Sequence, residues 1–335
     1  MKAKNRFLLN KDYLRKKAVV SGFPTELTIE ITNHCNLDCI FCPRSKMKRP
    51  KGFMDFRMFK GLVDQAKGYL ELIDFDLMGE TVLHPQIVEF VSYCRRSGIR
   101  TMLSSNMMLT DSKLVQELIS AGLDMLTMDI DAATPQTYGV LRRGGDFGKV
   151  KQNIESVLGL GDRRLFKVIK MVYTALNKHE AGIFQEMWRG KGADYERLSP
   201  YENMDKQLLE LNAVPENKRC GRRSPCVQLW RKFAVCWDGT AVACCDDYDK
   251  FSVLGDVNND SIMDIWNGGP MVNLRRKHVS ADLHTAPFCR ECRLFEPSLL
   301  FILGSTFTDA LTLRKVFFNF EKLLIRKNIA FFRHF

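Results

Sequence analysis

The sequence predicts an α/β protein: an open, partial (β/α)6 parallel barrel, then a small cysteine-rich module and a helical tail. Three observations predict it. Strand and helix signals alternate from Leu27 to Leu198. A tight cysteine loop, Cys35, Cys39 and Cys42, follows the first strand signal. Seven of the eleven cysteines then fall between 220 and 292.

Residues 1–24 form a basic leading segment ending at Gly22-Phe23-Pro24. The barrel is expected over 25–198. Leu27–Thr32 reads as its first strand and delivers the cysteine loop from its C-terminal end. Asp55–Ala66 reads as a helix, Leu72–Leu77 as a strand and Pro85–Arg96 as a helix. Thr101–Ser104 is the third strand, and a helix runs from the N-cap Asp111 to Ser120. Met125–Asp131 is a strand, Asp146–Leu158 a helix, Phe166–Thr174 a strand, Lys178–Trp188 a helix and Tyr195–Leu198 a sixth strand. Parallel strands joined by helices put functional groups at the strands' C-terminal ends. Residues 199–225, with Pro200, Pro215 and Pro225, read as a linker; 226–297 form the cysteine-rich module and 298–335 the tail.

A chain of 335 residues has room for one large domain and a smaller one. Hydrophobic residues at 45% and charged residues at 27% describe a globular protein. The net charge of +11 points to an anionic partner without choosing among phosphate, nucleotide, acidic peptide and membrane surface. Met1–Lys17 is basic but has no apolar signal core, and no apolar run approaches spanning length. Cysteines clustered at ligand spacing argue for metal rather than disulfides, so a reducing cytoplasm is the expected location.

The loop Cys35-Asn36-Leu37-Asp38-Cys39-Ile40-Phe41-Cys42 has C-x₃-C-x₂-C spacing. Three thiolates suit a 4Fe–4S cluster and leave one of its irons open. A zinc site would need a fourth ligand, for which His34 is the nearby candidate, and an ordinary ferredoxin cluster would need a fourth cysteine. The octet, with Phe41 before its last cysteine, resembles the radical S-adenosylmethionine (SAM) enzymes. The resemblance implies that the open iron chelates the SAM amino and carboxylate groups. One electron then splits the sulfonium, and the 5′-deoxyadenosyl radical abstracts hydrogen from substrate.

Further strand ends resemble that family's SAM-binding pattern. Gly79-Glu80 is similar to its G-G-E element, with Met78 in place of the first glycine. Ser105-Asn106 is similar to T-N-G, with Met107 where glycine is usual. Asp129-Ile130-Asp131 is similar to S-I-D-G, which would set Arg142 or Arg143 near the SAM carboxylate. Asn177 and Glu180 match N-x-x-E. The resemblance thus implies cofactor contacts from Phe41, Gly79, Glu80, Ser105, Asn106, Asp129, Asp131, Arg142, Arg143 and Asn177. The alternative for each is an ordinary turn or cap residue. Met78, Met102, Met107, Met108, Met125 and Met128 read as gap-filling core.

Cys226, Gly239, Cys244, the Leu254-Gly255-Asp256-Val257 turn, Ile265-Trp266 and the Cys289-Arg290-Glu291-Cys292 pair resemble the SPASM auxiliary-cluster module or its shorter twitch relative. No cysteine follows Cys292, so the resemblance implies one auxiliary 4Fe–4S cluster on Cys226, Cys244, Cys289 and Cys292. A structural zinc knuckle is the alternative. Cys220, Cys236 and Cys245 are spares, Cys245 the nearest rival ligand, and Cys94 reads as a buried small apolar residue.

In the tail, Leu313, Val316, Phe317, Phe320, Leu323 and Leu324 share one helical face, opposite Lys315, Asn319, Lys322 and Arg326. Such a basic amphipathic helix packs on the barrel or a partner, or makes peripheral membrane contact through 311–335. The expected activity is SAM cleavage followed by hydrogen abstraction from a small polar, sugar-like or nucleotide-sugar-like substrate, anionic in character, with net oxidation assisted by the auxiliary cluster. With 34 residues before Cys35, no leader-recognition domain is expected ahead of the barrel. A flavodoxin- or ferredoxin-type electron donor is implied, and no nucleic acid, since no RNA-binding module is visible. A peptide or protein maturase with a separate recognition partner is the second reading; a non-enzymatic iron–sulfur electron carrier is a third, of a different class.

Overall fold

The computed structural model describes residues 1–201, 211, 224–286, 289, 290, 292 and 299–326; Cys220, most of the expected linker and the tail beyond Arg326 lie outside the described residues. Helix α1 (Lys2–Leu14) occupies most of the leading segment, where no helix was expected. Its docking is polar: Asn5 Nδ2 donates to Phe23 O at 2.7 Å, and Asn10 Nδ2 to Thr306 Oγ1 at 2.9 Å.

The elements then follow as β1 (Glu26–Ile29), β2 (Asp38–Cys39), α2 (Phe56–Ala66), β3 (Leu72–Phe75), α3 (Ile87–Arg96), β4 (Arg100–Ser105), α4 (Ser112–Ala121), β5 (Met125–Asp129), α5 (Pro135–Leu141), β6 (Arg142–Arg143), α6 (Phe147–Gly159), β7 (Phe166–Tyr173), α7 (Ala181–Trp188) and β8 (Tyr195–Pro200). Asp55, Asp111 and Asp146 cap α2, α4 and α6. Each carboxylate accepts a first-turn backbone N–H, at 2.7 Å for Arg57, 2.9 Å for Leu114 and 3.0 Å for Lys149. Strands end earlier than expected at Ile29, Phe75 and Asp129. The turns that follow carry the site, and Asp131 takes φ +57°, outside any strand.

Six strands, β1, β3, β4, β5, β7 and β8, run parallel in that spatial order, as the alternating pattern predicts. The sheet does not stop at β1. On its far side β9 (Lys232–Val235) pairs parallel with β1, Glu26 opposite Lys232. β10 (Thr240–Val242) and β11 (Val253–Asp256) continue it antiparallel. The cysteine-rich module therefore shares one nine-stranded sheet with the barrel. Helices α8 (Ile262–Trp266) and α9 (Gly269–Ser280) follow, then α10 (Leu299–Phe307) and α11 (Ala310–Arg326). Phe59, Phe75 and Phe90, all fully buried, form part of the core between sheet and helices, with Phe59 and Phe90 ring centres 4.4 Å apart.

Strand alternation turns one side chain in two toward the barrel interior. Leu72, Met102, Met125, Val168 and Tyr195 cluster there with Ala310, Leu311 and Phe318 of α11, which plugs the strands' N-terminal end. Tyr195 and Phe318 stack at 4.7 Å. Arg314 reaches inside to Glu26 Oε2 at 2.7 Å, and Asp74 pairs with Lys232 at 3.4 Å. The single apolar face expected for the tail is corrected: Leu313 and Phe317 do pack on the core, but Leu311 and Phe318 bury on another face and Val316 is 54% exposed. No described helix is long and apolar enough to cross a membrane.

Leu311 is wholly buried and Val316 is not, so their truncations should differ. Leu311→Ala should lower the unfolding free energy by about 3 kcal/mol and Val316→Ala by about 0.5 kcal/mol or less, read by chemical denaturation of anaerobically prepared protein.

Candidate active site

The cysteine loop is held from three sides. Its middle forms β2, which pairs antiparallel with β6: Asp38 faces Arg143 and Cys39 faces Arg142. Ile40 N–H donates to Leu141 O at 3.0 Å, and Arg44 Nη2 to Leu37 O at 2.6 Å. The third clamp is Gly79-Glu80, whose Glu80 N–H donates to His34 O at 2.7 Å. Gly79 has φ +93°, and a Cβ there would lie 2.5 Å from Thr32 O and 2.8 Å from His34 O. Only glycine lets the end of β3 approach the loop's backbone this closely.

The three loop cysteines are partly exposed thiols and influence one another electrostatically. Burial raises all three, Cys39 to about 12, with Arg142 opposing. Thiols in such a place ionise only when a cation meets them, which is what iron provides.

Around the loop stand the expected strand-end residues. Asn106 N–H donates to Glu80 Oε2 at 2.9 Å, and Asn106 Nδ2 to Asn36 Oδ1 at 2.8 Å. Met107, where glycine is usual, still takes φ +61°, the left-handed conformation glycine adopts without strain. Ser105 accepts from Met107 N–H at 3.0 Å, shares a hydrogen bond with Thr110 and also acts on the Glu80 carboxyl. Glu80 Oε1 is buried with no hydrogen-bond partner among the described residues, and burial raises its carboxyl to about 7. A buried, unpaired carboxylate oxygen is costly unless a ligand completes it, and an ammonium does so best. The donor set thus fits a cluster-bound amino acid: three sulfurs, an orphaned carboxylate oxygen and a nearby guanidinium.

That guanidinium is Arg142, not Arg143, because the two alternate across β6; Arg142 is buried and Arg143 exposed. Arg142 Nε donates to Asp131 Oδ2 at 2.8 Å, and its guanidinium lies 5.9 Å from the Phe41 ring centre. Asp131 also accepts Val172 N–H at 2.7 Å, so both its oxygens are engaged. Asn177, expected to touch the cofactor, gives both sides of its amide to the chain. It donates to Asp131 O at 2.7 Å and Val172 O at 3.0 Å, and accepts from Thr174 Oγ1 at 2.9 Å. Glu180 accepts from Ala133 N–H and Thr134 Oγ1, both at 2.6 Å, and so fixes the start of α5. Asp131, Asn177 and Glu180 position the site rather than line it.

Sequence reading missed the barrel lumen beside this site. Asp129 pairs with Lys170 Nζ at 3.2 Å. Lys170 also acts electrostatically on Asp76 and Asp246. Asp76 opens into the gap at the strands' C-terminal ends yet is walled by protein, so burial and Asp74 push its carboxyl up to about 6. The missed signal is a charge at every second position of an otherwise apolar strand, as in Asp74 and Asp76.

In the second cysteine group, burial pushes Cys226 up to about 12, and the charges of Cys292 and Cys289 act in the same direction. Cys244 lies with Cys245 and Asp246, their ligand atoms within 4.8 Å of one another. Cys236 is fully buried among Leu77, Ala234 and Val242, and Cys94 is buried in the main core; both are packing residues.

Gly79→Ala should unseat the cysteine loop: anaerobically reconstituted protein should lose about half or more of its iron at the first site. Iron and sulfide analysis against wild type, with circular dichroism to confirm folding, checks this.

The radical SAM superfamily model matches residues 29–182, and the iron–sulfur cluster-binding SPASM model matches 226–293. Among curated proteins, the chain is 27% identical over 157 residues to a tungsten-containing aldehyde ferredoxin oxidoreductase cofactor-modifying protein of Pyrococcus furiosus, covering 45% of this chain and 44% of that one. It is 21% identical over 271 residues to an S-adenosyl-L-methionine-dependent 2-deoxy-scyllo-inosamine dehydrogenase of Niallia circulans, covering 79% and 91%. The chain spans about half the length of the first curated relatives it matches, 44% and 54%. Among solved structures, BtrN in complex with AdoMet and 2-DOIA superposes with TM-score 0.56 at 18% identity, covering 80% of this chain and 92% of that one. Streptococcus suis SuiB bound to S-adenosylmethionine gives 0.63 at 14%, covering 78% and 69%. The chain belongs to the radical SAM enzyme superfamily, with a SAM-binding 4Fe–4S cluster and a C-terminal SPASM-type auxiliary cluster domain.

Proposed function

We propose that this enzyme oxidises a hydroxyl-bearing small polar substrate held in the barrel lumen between the two cysteine groups. The observation that carries the reading is the charged lumen itself, Lys170 among Asp76, Asp129 and Asp246, next to the orphaned Glu80 oxygen. Apolar substrates would leave these charges desolvated and unpaired. Four carboxylates, Asp74, Asp76, Asp129 and Asp246, against two ammoniums, Lys170 and Lys232, favour a substrate that carries an amino group over the phosphate-bearing substrate expected from net charge. The likeness to a 2-deoxy-scyllo-inosamine dehydrogenase over most of the chain supports the same reading.

Cys35, Cys39 and Cys42 would hold the first cluster; Cys226, Cys289 and Cys292, with Cys244 or Cys245, would hold the auxiliary one. When bound, the first cluster with SAM supplies hydrogen-atom abstraction and the auxiliary cluster supplies one-electron oxidation. The chain's own residues do the rest. Glu80 receives the SAM ammonium, and Arg142, oriented by Asp131, faces its carboxylate. Lys170 and Asp129 orient the substrate's polar groups. Asp76 takes the hydroxyl proton as the alcohol becomes a carbonyl, and its raised carboxyl remains ionised at neutral pH.

Each of Cys35→Ala, Cys39→Ala and Cys42→Ala should abolish 5′-deoxyadenosine formation; full-rate formation in any of them would refute the ligand assignment. Cys289→Ala and Cys292→Ala should keep SAM cleavage while product formation falls by about a hundredfold. Because Asp76 must be deprotonated to act, turnover should hold above pH 6 and drop about tenfold per unit below it. Asp76→Asn should erase that limb and cost about 10²-fold in kcat.

A further inference from the structure

Helix α1 turns polar side chains inward and leaves apolar ones outside. Asn5, Asn10 and Asp12 are buried, beside Leu9 and Tyr13. Each bonds to the chain it covers. Asn5 Oδ1 accepts Phe23 N–H at 2.8 Å, Asn10 Nδ2 donates to Ser305 Oγ at 3.2 Å, and Asp12 Oδ2 accepts Ser21 N–H at 2.6 Å. Phe7 and Leu14, two turns apart, are each 54% exposed. A helix docked on a core ordinarily buries such residues and exposes the polar ones.

Cations interleave with the exposed pair. Lys4, Phe7, Lys11 and Leu14 follow one another at three- or four-residue spacing and so share one helix face, with Arg15 at its end. Lys4 and Arg15 are exposed and Lys11 partly so, and none of them makes an ion pair among the described residues. The one acid of α1, Asp12, is buried and pairs with Lys17 at 3.4 Å, so the outward face carries no carboxylate. On the neighbouring α10, Thr306 accepts from Asn10, and the next residue, Phe307, is 82% exposed.

Single exposed apolar residues are ordinary. A ridge of phenylalanine, leucine and lysine on a helix whose asparagines face inward is a surface that another surface covers. A second copy of this chain fits it poorly, because a two-fold contact uses one patch twice and would set Lys4, Lys11 and Arg15 against like charges. A layer of anionic headgroups meets all of these cations at once, while Phe7 and Leu14 sink between the headgroups.

We propose that the outward face of α1, Phe7 and Leu14 with Lys4, Lys11 and Arg15, seats the enzyme on a bilayer surface that carries anionic headgroups. This surface is distinct from the 311–335 segment, whose Leu311 and Phe318 are buried in the barrel floor. Helix α1 lies where strands begin. Asn5 Nδ2 bonds Phe23 O ahead of β1, Arg6 pairs with Glu71 ahead of β3, and Lys2 Nζ donates to Gly98 O at 2.7 Å ahead of β4. The seated enzyme therefore turns the C-terminal ends of its strands, and the lumen, away from lipid, and its substrate arrives from water.

The test is co-sedimentation of the anaerobically reconstituted full chain with vesicles of phosphatidylcholine, alone or with about 30% phosphatidylserine, at about 50 and about 300 mM salt. Wild type should partition to the anionic vesicles about tenfold or more strongly than to the neutral ones at low salt. The Phe7→Ser, Leu14→Ser double variant should bind them about tenfold or more weakly at either salt. The Lys4→Gln, Lys11→Gln double variant should lose about as much at low salt and little at high salt. The matched Ile183→Ser, Val253→Ser variant, on exposed apolar sites elsewhere, should bind like wild type. Circular dichroism checks that each variant is folded. Equal binding of wild type to both kinds of vesicle, or equal weakening by the matched variant, would overturn the proposal. A lipid-free dimer that depends on Phe7 and Leu14 in sedimentation velocity would overturn it in favour of a second copy. Tighter binding of polyglutamate than of anionic vesicles by this face would overturn it in favour of an acidic protein.

Discussion

Everything in this structure depends on one close approach of backbone to backbone. The end of β3 lies against the start of the cysteine loop, Glu80 N–H on His34 O at 2.7 Å, with Gly79 leaving no room for a side chain. Three cysteines on a free loop would pay a large ordering cost to gather round a cluster. Here β1 launches the loop, β6 pairs with its middle and Gly79-Glu80 grips its start. The same contact brings the orphaned Glu80 oxygen beside the thiols, so one constraint builds both halves of a cofactor site. Arg142 couples it to the lumen, since Asp131 orients Arg142 and Asn177 holds Asp131's backbone.

The second design feature is a barrel interior closed by an apolar plug at one end and charged toward its mouth. Helix α11 seals the bottom with Leu311 and Phe318 and sends Arg314 inside to pair with Glu26. Above it, Asp74 and Lys232 pair, and above them the lumen opens with Asp76, Asp129 and Lys170. Charges at the bottom are matched, so they are structural. Those at the mouth carry an excess of carboxylate, which marks where a ligand belongs. Because β9 extends the barrel sheet beside β1, the auxiliary cysteines stand on the same frame as the SAM site.

The parallel strands were legible because both faces are buried, so each reads as a short apolar run between turn residues. The helix starts at Asp55, Asp111 and Asp146 were legible because a lone Asp before an apolar period marks a helix N-terminus, though only Asp111 was read as the cap that all three are. Helix α1 was not, since its buried residues include Asn5, Asn10 and Asp12 and no apolar stripe betrays it. β9 was hidden for a related reason: it opens on a buried lysine whose partner, Asp74, lies far away in sequence. The loop cysteines announced the chemistry, but spacing could not choose Arg142 over Arg143, a choice made by strand alternation. Nor could it show that the Asn177 amide is taken up by Asp131, Val172 and Thr174. Spacing named Cys244 as a ligand, and the fold sets Cys245 and Asp246 close beside it.

The most direct measurement is iron and sulfide analysis with EPR of the anaerobically reconstituted, reduced enzyme, with and without SAM. Two clusters predict about eight irons per chain, and the signal lost in Cys39→Ala should be the one that changes when SAM is added. About four irons with bound zinc, or a spectrum indifferent to SAM, would contradict the two-cluster site and the oxidation built on it.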